Sequence, residues 1–207
     1  MSNLDKDFLQ LSIEVKALLF GDFTLKSGKK SNYFFNITAF LESGYISELA
    51  RLYSEKIQEA SLDYQVIFGP AYKGIPLASA VATQLSKTLS RNIPISFDRK
   101  EKKYHGEGGS LVGAVENKKV MILDDVLTAG TAIRNAVNLV GQSGGEVSSV
   151  IVALDRQEIF EGQQAKKILE NELNIPIYSI SNLDKLILFL EKSEELRGTA
   201  EKLKSSL

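Results

Sequence analysis

Five short, unbroken apolar runs constrain this chain more than any other feature. They are YQVIF (64–68), PISF (94–97), KVMIL (119–123), SSVIVAL (148–154) and IPIYSI (175–180). Stretches of helical period begin after Gly74, run from about 129 to 142, and run again from 163 to 172. A strand with no polar alternation must be covered on both faces, and a parallel sheet sandwiched between helices does this. The reading is therefore α/β, with a mostly parallel central sheet flanked by helices.

The first third lies outside that rhythm. Phe8, Leu11, Val15, Leu18 and Leu19 recur at helical spacing, so one helix is expected over 4–20 with Gly21 stopping it. DFTLKSGKKSNYFFNIT (22–38) flanks a Ser-Gly turn with alternating residues and predicts a β-hairpin. A second helix follows at 44–61, and the tail from 183 is helical with a charged, solvated end. With 207 residues, 43% of them hydrophobic, and no repeat or linker, one domain over 1–207 is expected.

Charge narrows the function. Twenty-five Lys and Arg stand against 26 Asp and Glu, so the overall field cannot hold nucleic acid or an anionic membrane, and any anion site must be local. The absence of cysteine excludes disulfides, thiolate metal sites and a catalytic thiol, and fits a reducing cytosol. No run approaches the roughly 18 apolar residues a membrane span needs, and the N-terminus has acids where a signal peptide has bases. A soluble, cytoplasmic protein is expected.

The chemistry concentrates in VMILDDVLTAGTA (120–132). Ligands of open α/β sheets sit beyond the carboxyl ends of strands, where Asp124 and Asp125 fall. Val126, Leu127, Thr128, Ala129, Gly130, Thr131 and Ala132 then turn into a helix. Its free N–H groups favour a phosphate, which Gly130 lets approach. An acid pair beside such a cradle suits a phosphorylated sugar: phosphate in the cradle, ring hydroxyls on the carboxylates. The plainer alternative is that the acids end a strand and cap a helix. A nucleotide hydrolase would need a GxxxxGK[ST] loop, which is absent, and Leu111 stands where a GxGxxG motif would place its third glycine.

Other stretches add cations and flat surfaces. DRKEKKYHGEGG (98–109) gathers Arg99, Lys100, Lys103 and the only histidine, His105, before a run of glycines. Alone, the Lys/Arg run suits a solvated face and the single histidine a structural role; together they suit a lid over a polyanion. FGPAYKGIPLA (68–78) leads from a strand into a helix and sets Lys73, beside Tyr72, to meet an anion. LKSGKKSNYFFN (25–36) offers Lys26 and the consecutive Phe34 and Phe35, which a strand would send to opposite faces. Arg156 follows SSVIVALD, where it could pair with Asp155 or grip a planar carboxylate.

The 120–132 stretch resembles the phosphoribosyl pyrophosphate signature of the type I phosphoribosyltransferases. The lid with its following GEGG, the Tyr72-Lys73 loop, the Lys26 hairpin and Arg156 resemble, in order, the motifs of the orotate phosphoribosyltransferases. The resemblance implies a type I phosphoribosyltransferase fold with a small hood over about 1–40 and C-terminal helices packing on the core. It implies transfer of ribose 5-phosphate from 5-phosphoribosyl 1-diphosphate (PRPP) to orotate, giving orotidine 5-phosphate and diphosphate in pyrimidine biosynthesis.

On that resemblance Lys26, Tyr72, Lys73, Arg99, Lys100, Lys103, His105 and residues 124–132 contact PRPP. Phe34, Phe35, Thr128 and Arg156 border orotate, and Asp124, Asp125, Lys73, Lys103 and His105 carry the catalysis. Mg²⁺ is the implied cofactor, held through substrate or by water to Asp124 and Asp125 and not by direct protein ligands. The implied assembly is a homodimer sharing the 99–109 loop, with no nucleic-acid or membrane partner. A purine or uracil phosphoribosyltransferase remains the nearer alternative, and a sugar-phosphate sensor acting on nucleic acid the more distant one.

Overall fold

The structure, a computed structural model, describes residues 1–24, 28–103 and 109–205, and for 100–103 and 109 the backbone alone. Helix α1 (Asn3–Glu14) opens with a capping box, in which Ser2 Oγ accepts from the Asp5 amide at 3.1 Å and Asp5 Oδ2 accepts from the Ser2 amide at 2.9 Å. It ends six residues before the expected stop, because Lys16 turns to φ 59. Leu18, Leu19 and Phe20 enter β1 (Leu18–Thr24) instead, antiparallel to β2 (Lys30–Phe35). Three consecutive apolar residues suit either period, and pairing with Phe35, Phe34 and Tyr33 decides for the strand. Gly21 lies at the irregularity between Phe20 and Phe23 and ends no helix.

Helices α2 (Thr38–Glu42) and α3 (Ile46–Glu59) lead into β3 (Val66–Phe68), followed by α4 (Gly74–Thr88) and β4 (Ile95–Lys103). Then come β5 (Gly109–Val112), β6 (Lys119–Leu127), α5 (Thr131–Gln142) and β7 (Glu146–Asp155). A two-residue pair that the sequence does not announce, β8 (Ile159–Phe160) and β9 (Gln163–Gln164), precedes α6 (Ala165–Leu173). Strand β10 (Ile177–Asn182) and helices α7 (Leu183–Leu190) and α8 (Arg197–Ser205) complete the chain.

The main sheet has the order β10-β7-β6-β3-β4-β5, parallel throughout except for the β4–β5 pair. Both faces of β6 are buried: Met121 and Leu123 join the core with α1, α3, α4 and α7, while Val120 and Ile122 join that of α5 and α6. Each large apolar side chain fully withdrawn from water contributes about 1.5–3 kcal/mol, and Phe8, Phe40, Tyr53 and Phe68 are among them. From β3 the chain proceeds to β4 on one side, whereas β6 pairs on the other. The crevice at the carboxyl ends of β3 and β6 is thus the topological switch point where such sheets bind ligands. Among the described residues no helix is long and apolar enough to cross a membrane.

Candidate active site

Strand β6 runs two residues past the acids, to Leu127, so Asp124 and Asp125 sit within its last turn of pleat and not beyond it. Asp124 Oδ1 accepts from the Asp125 amide and Asp125 Oδ1 from the Val126 amide, both at 2.9 Å. From α3, the fully buried Tyr53 donates its hydroxyl to the Asp124 carbonyl at 2.7 Å, fastening the strand end from below. Burial, then the neighbouring Asp125 carboxylate, pushes the Asp124 carboxyl up to about 7. Burial beside the same two acids raises the Tyr53 hydroxyl, which stays protonated and able to donate.

Across the switch point, the loop leaving β3 closes because its ends are glycines. A Cβ on Gly69 would lie 2.1 Å from the Gly74 carbonyl oxygen. The Ala71 amide donates to Asp98 Oδ1 at 2.5 Å, tying this loop to β4, and the Ala71–Tyr72 peptide bond is cis. Tyr72 is 64% exposed. Lys73 reaches back so that Nζ lies 3.2 Å from Asp125 Oδ2. The lysine is half in solvent, so the pair adds under about 1 kcal/mol to stability, and its consequence is placement. Two residues 52 apart in sequence are held where one cation and two carboxylates face the same space.

The third wall is the turn into α5. Helix α5 begins at Thr131, two residues later than the periodicity suggests, with Gly130 at φ 78 as its N-cap. A Cβ there would lie 2.2 Å from Leu169 Cδ1 of α6. Thr128, Ala129, Thr131 and Ala132 are exposed along this turn. The first N–H groups of a helix have no intrahelical acceptor, so they and the positive end of the dipole are available to an anion.

The hairpin forms a fourth wall. Phe35 is buried against Phe8, with ring centroids 5.8 Å apart, while Phe34 is 37% exposed. This is the division between core and solvent side that a strand imposes. Arg156 is buried; its Nη2 donates to Ser31 Oγ at 2.9 Å, its Nε lies 3.2 Å from Glu158 Oε1, and its guanidinium stacks 4.2 Å above the Tyr33 ring. It does not pair with Asp155, whose carboxylate accepts from the Gln157 amide. Nη1 has no partner among the described residues, and a cavity of about 370 Å³ opens beside it, lined by Ser31, Tyr33, Glu158 and Leu183 among others.

The cationic segment differs from the expected loop. Strand β4 continues to Lys103, and Lys103 pairs with Gly109 of β5, so Arg99, Lys100 and Lys103 stand on a hairpin arm. Arg99 is half-buried at its root. Lys26, His105 and the side chains of Lys100 and Lys103 lie outside the described residues. Sequence reasoning missed Tyr53, Asp98, Ser31 and Glu158. Their types are common, and only the fold brings them to the rim.

Among the described residues no three His, Asp or Glu gather as a metal cage. The donors at the rim are two adjacent carboxylates, one already on Lys73. That set is too small for an all-protein cage and fits a Mg²⁺ that would be held mainly by substrate oxygens and water, with the carboxylates reached through that water.

A parallel sheet with paired acids, an anion turn and a lysine loop at one switch point defines a phosphoribosyltransferase, and the model of the phosphoribosyl transferase domain family matches residues 40–178. Curated relatives include the orotate phosphoribosyltransferases of Cellvibrio japonicus, 43% identical over 99% of this chain and 96% of that protein, and of Marinobacter nauticus, 45% identical over 99% and 97%. The solved orotate phosphoribosyltransferase of Francisella tularensis superposes with a TM-score of 0.81 at 34% identity, covering 96% of this chain and 94% of that one. The chain belongs to the orotate phosphoribosyltransferase family.

Proposed function

We propose that this chain transfers ribose 5-phosphate from PRPP to orotate, releasing diphosphate and forming orotidine 5-phosphate, with inversion at the anomeric carbon. The supporting observation is the meeting of Lys73 and Asp125 at the switch point, beside a helix N-terminus that has no side-chain cap. In this reading the 5-phosphate occupies the 128–132 turn, the ribose hydroxyls donate to Asp124 and Asp125, and the diphosphate lies toward the 70–73 loop.

The bond to diphosphate lengthens ahead of attack, so the ribose becomes cationic and the leaving group more anionic. Asp124 and Asp125 favour the first charge. Lys73, Arg99, Lys100, Lys103 and His105 favour the second, an electrostatic contribution of the kind that dominates many enzymes. When bound through diphosphate and ribose, Mg²⁺ would supply further charge neutralisation. Orotate places its ring against Phe34 and Thr128 and its carboxylate on Arg156, whose Nη1 has no partner among the described residues. Hypoxanthine, adenine and uracil have no carboxylate to fill that fork. Its ring nitrogen is acidic enough to attack without a dedicated base.

A homodimer in the cytoplasm, with the 99–109 arm of one subunit completing the site of the other, is the assembly we adopt. The test offers purified protein, Mg²⁺ and PRPP to orotate, hypoxanthine, adenine or uracil in turn. Orotate alone should be consumed, and consumption of a purine or of uracil in its place would overturn the reading.

A further inference from the structure

We infer that Arg134 is a positioning residue that sets the direction of the peptide group at the heart of the phosphate cradle, with Glu172 as its anchor; the inference rests on the PRPP reading above. Arg134 lies one turn into α5. Its Nη1 donates to the Ala129 carbonyl at 2.8 Å. Its Nε lies 2.9 Å from both Glu172 carboxylate oxygens, and Nη2 lies 2.6 Å from Oε2. Among the described residues the guanidinium thus bonds one carboxylate on α6 and one carbonyl in the 128–132 turn.

The consequence follows from peptide geometry. The Ala129–Gly130 peptide is trans, so its C=O and N–H point in opposite directions. Pinning the carbonyl on the Arg134 side aims the Gly130 N–H away from Arg134. Rotation of that peptide is otherwise easy, because Gly130 has no Cβ and already holds φ 78. Rotated over, the carbonyl dipole would face the phosphate and an amide donor would be lost. Helix α6 touches the turn twice: Leu169 fills the space beneath Gly130, and Glu172, three residues on along the same helix face, holds Arg134.

A purely stabilising role fits poorly. Arg134 and Glu172 are 32% and 45% exposed, and pairs so placed add little to folding. The bond to Ala129 is the one with a functional address.

The test uses the full-length chain and its Arg134→Ala, Arg134→Lys and Glu172→Ala variants. It measures the equilibrium affinity for ribose 5-phosphate, both KM values, kcat and the melting temperature. In Arg134→Ala, the ribose 5-phosphate Kd and the PRPP KM should rise about tenfold, the weight of one charge-assisted hydrogen bond, with kcat and the orotate KM within about twofold. Lysine, which keeps the charge but not the fork, should fall between alanine and wild type. Glu172→Ala should give a smaller rise in the same two quantities, and it decides the matter if Arg134→Ala does not fold. Unchanged PRPP KM in both alanine variants, or both KM values and kcat moving together, would overturn the inference while leaving the orotate reading intact. Failure of the wild-type chain to bind ribose 5-phosphate would overturn that reading itself.

Discussion

Asp124 shows how the site holds apart two requirements on one residue. Its carboxyl, ordinarily near 3.8, is pushed up to about 7 by burial and by Asp125. The folded chain therefore keeps a proton that the unfolded chain has lost at every pH between those values. Stability associated with that proton is complete in acid and is lost as pH rises from about 4 through about 7. Asp124→Asn, neutral throughout, should remove this loss. Unfolding by denaturant at about pH 5 and pH 8 should show wild type weakening relative to the variant by about 1–3 kcal/mol at the higher pH, while turnover of the variant falls at least tenfold. A gap of the same size at both pH values would show that Asp124 is ionised throughout. Binding of PRPP, whose hydroxyls need an acceptor, should release a proton near pH 6, measurable by calorimetry in buffers of different ionisation heat.

Arg156→Ala should raise the orotate KM at least thirtyfold and leave the PRPP KM within about threefold, because one charged fork is worth about 2 kcal/mol or more. It also leaves the Glu158 carboxylate, 12% exposed, with only the longer 3.4 Å pairing to Lys29, so folding should weaken by about 1–3 kcal/mol. Adding Glu158→Gln should recover that stability without recovering orotate affinity. Recovery of both would make Arg156 a structural arginine.

Among the elements, the sheet strands were legible because residues such as those of 120–123 are apolar on both faces, a pattern that few other environments tolerate. The cationic arm was not legible as strand. Its RKEKK run, 99–103, has the composition of a solvated loop, and pairing of Lys103 with Gly109 decides its form. In the same way Leu18 and Phe20 fit a helix by period and a strand by partner. A hairpin arm is stiffer than a loop along its length, and its root is linked through Asp98 to the 70–73 loop. Lys103→Ala should therefore lower kcat by about two orders of magnitude, the scale of one lost donor to developing charge, and change the orotate KM little. Equal losses in both would place Lys103 in ground-state binding.

For the molecule as a whole, parallel strands deliver the site. Because β3, β6 and β7 run the same way, their carboxyl ends bring Lys73, Asp125 and Arg156 to one rim from three stretches of sequence. The motifs could be read individually, but Tyr53 under Asp124 comes from α3, and Arg134 is held behind Ala129 by Glu172 of α6, both helices packed from elsewhere. One further relation lies between copies. If the 99–109 arm serves the neighbouring subunit, a Lys103→Ala chain and an Asp125→Ala chain, each nearly inactive alone, should restore one another when unfolded together and refolded. About half of the resulting dimers are mixed, and each has one intact site, so about a quarter of wild-type activity should return. An arm acting within its own subunit leaves no intact site in any mixed dimer, and activity would stay at the level of the separate variants.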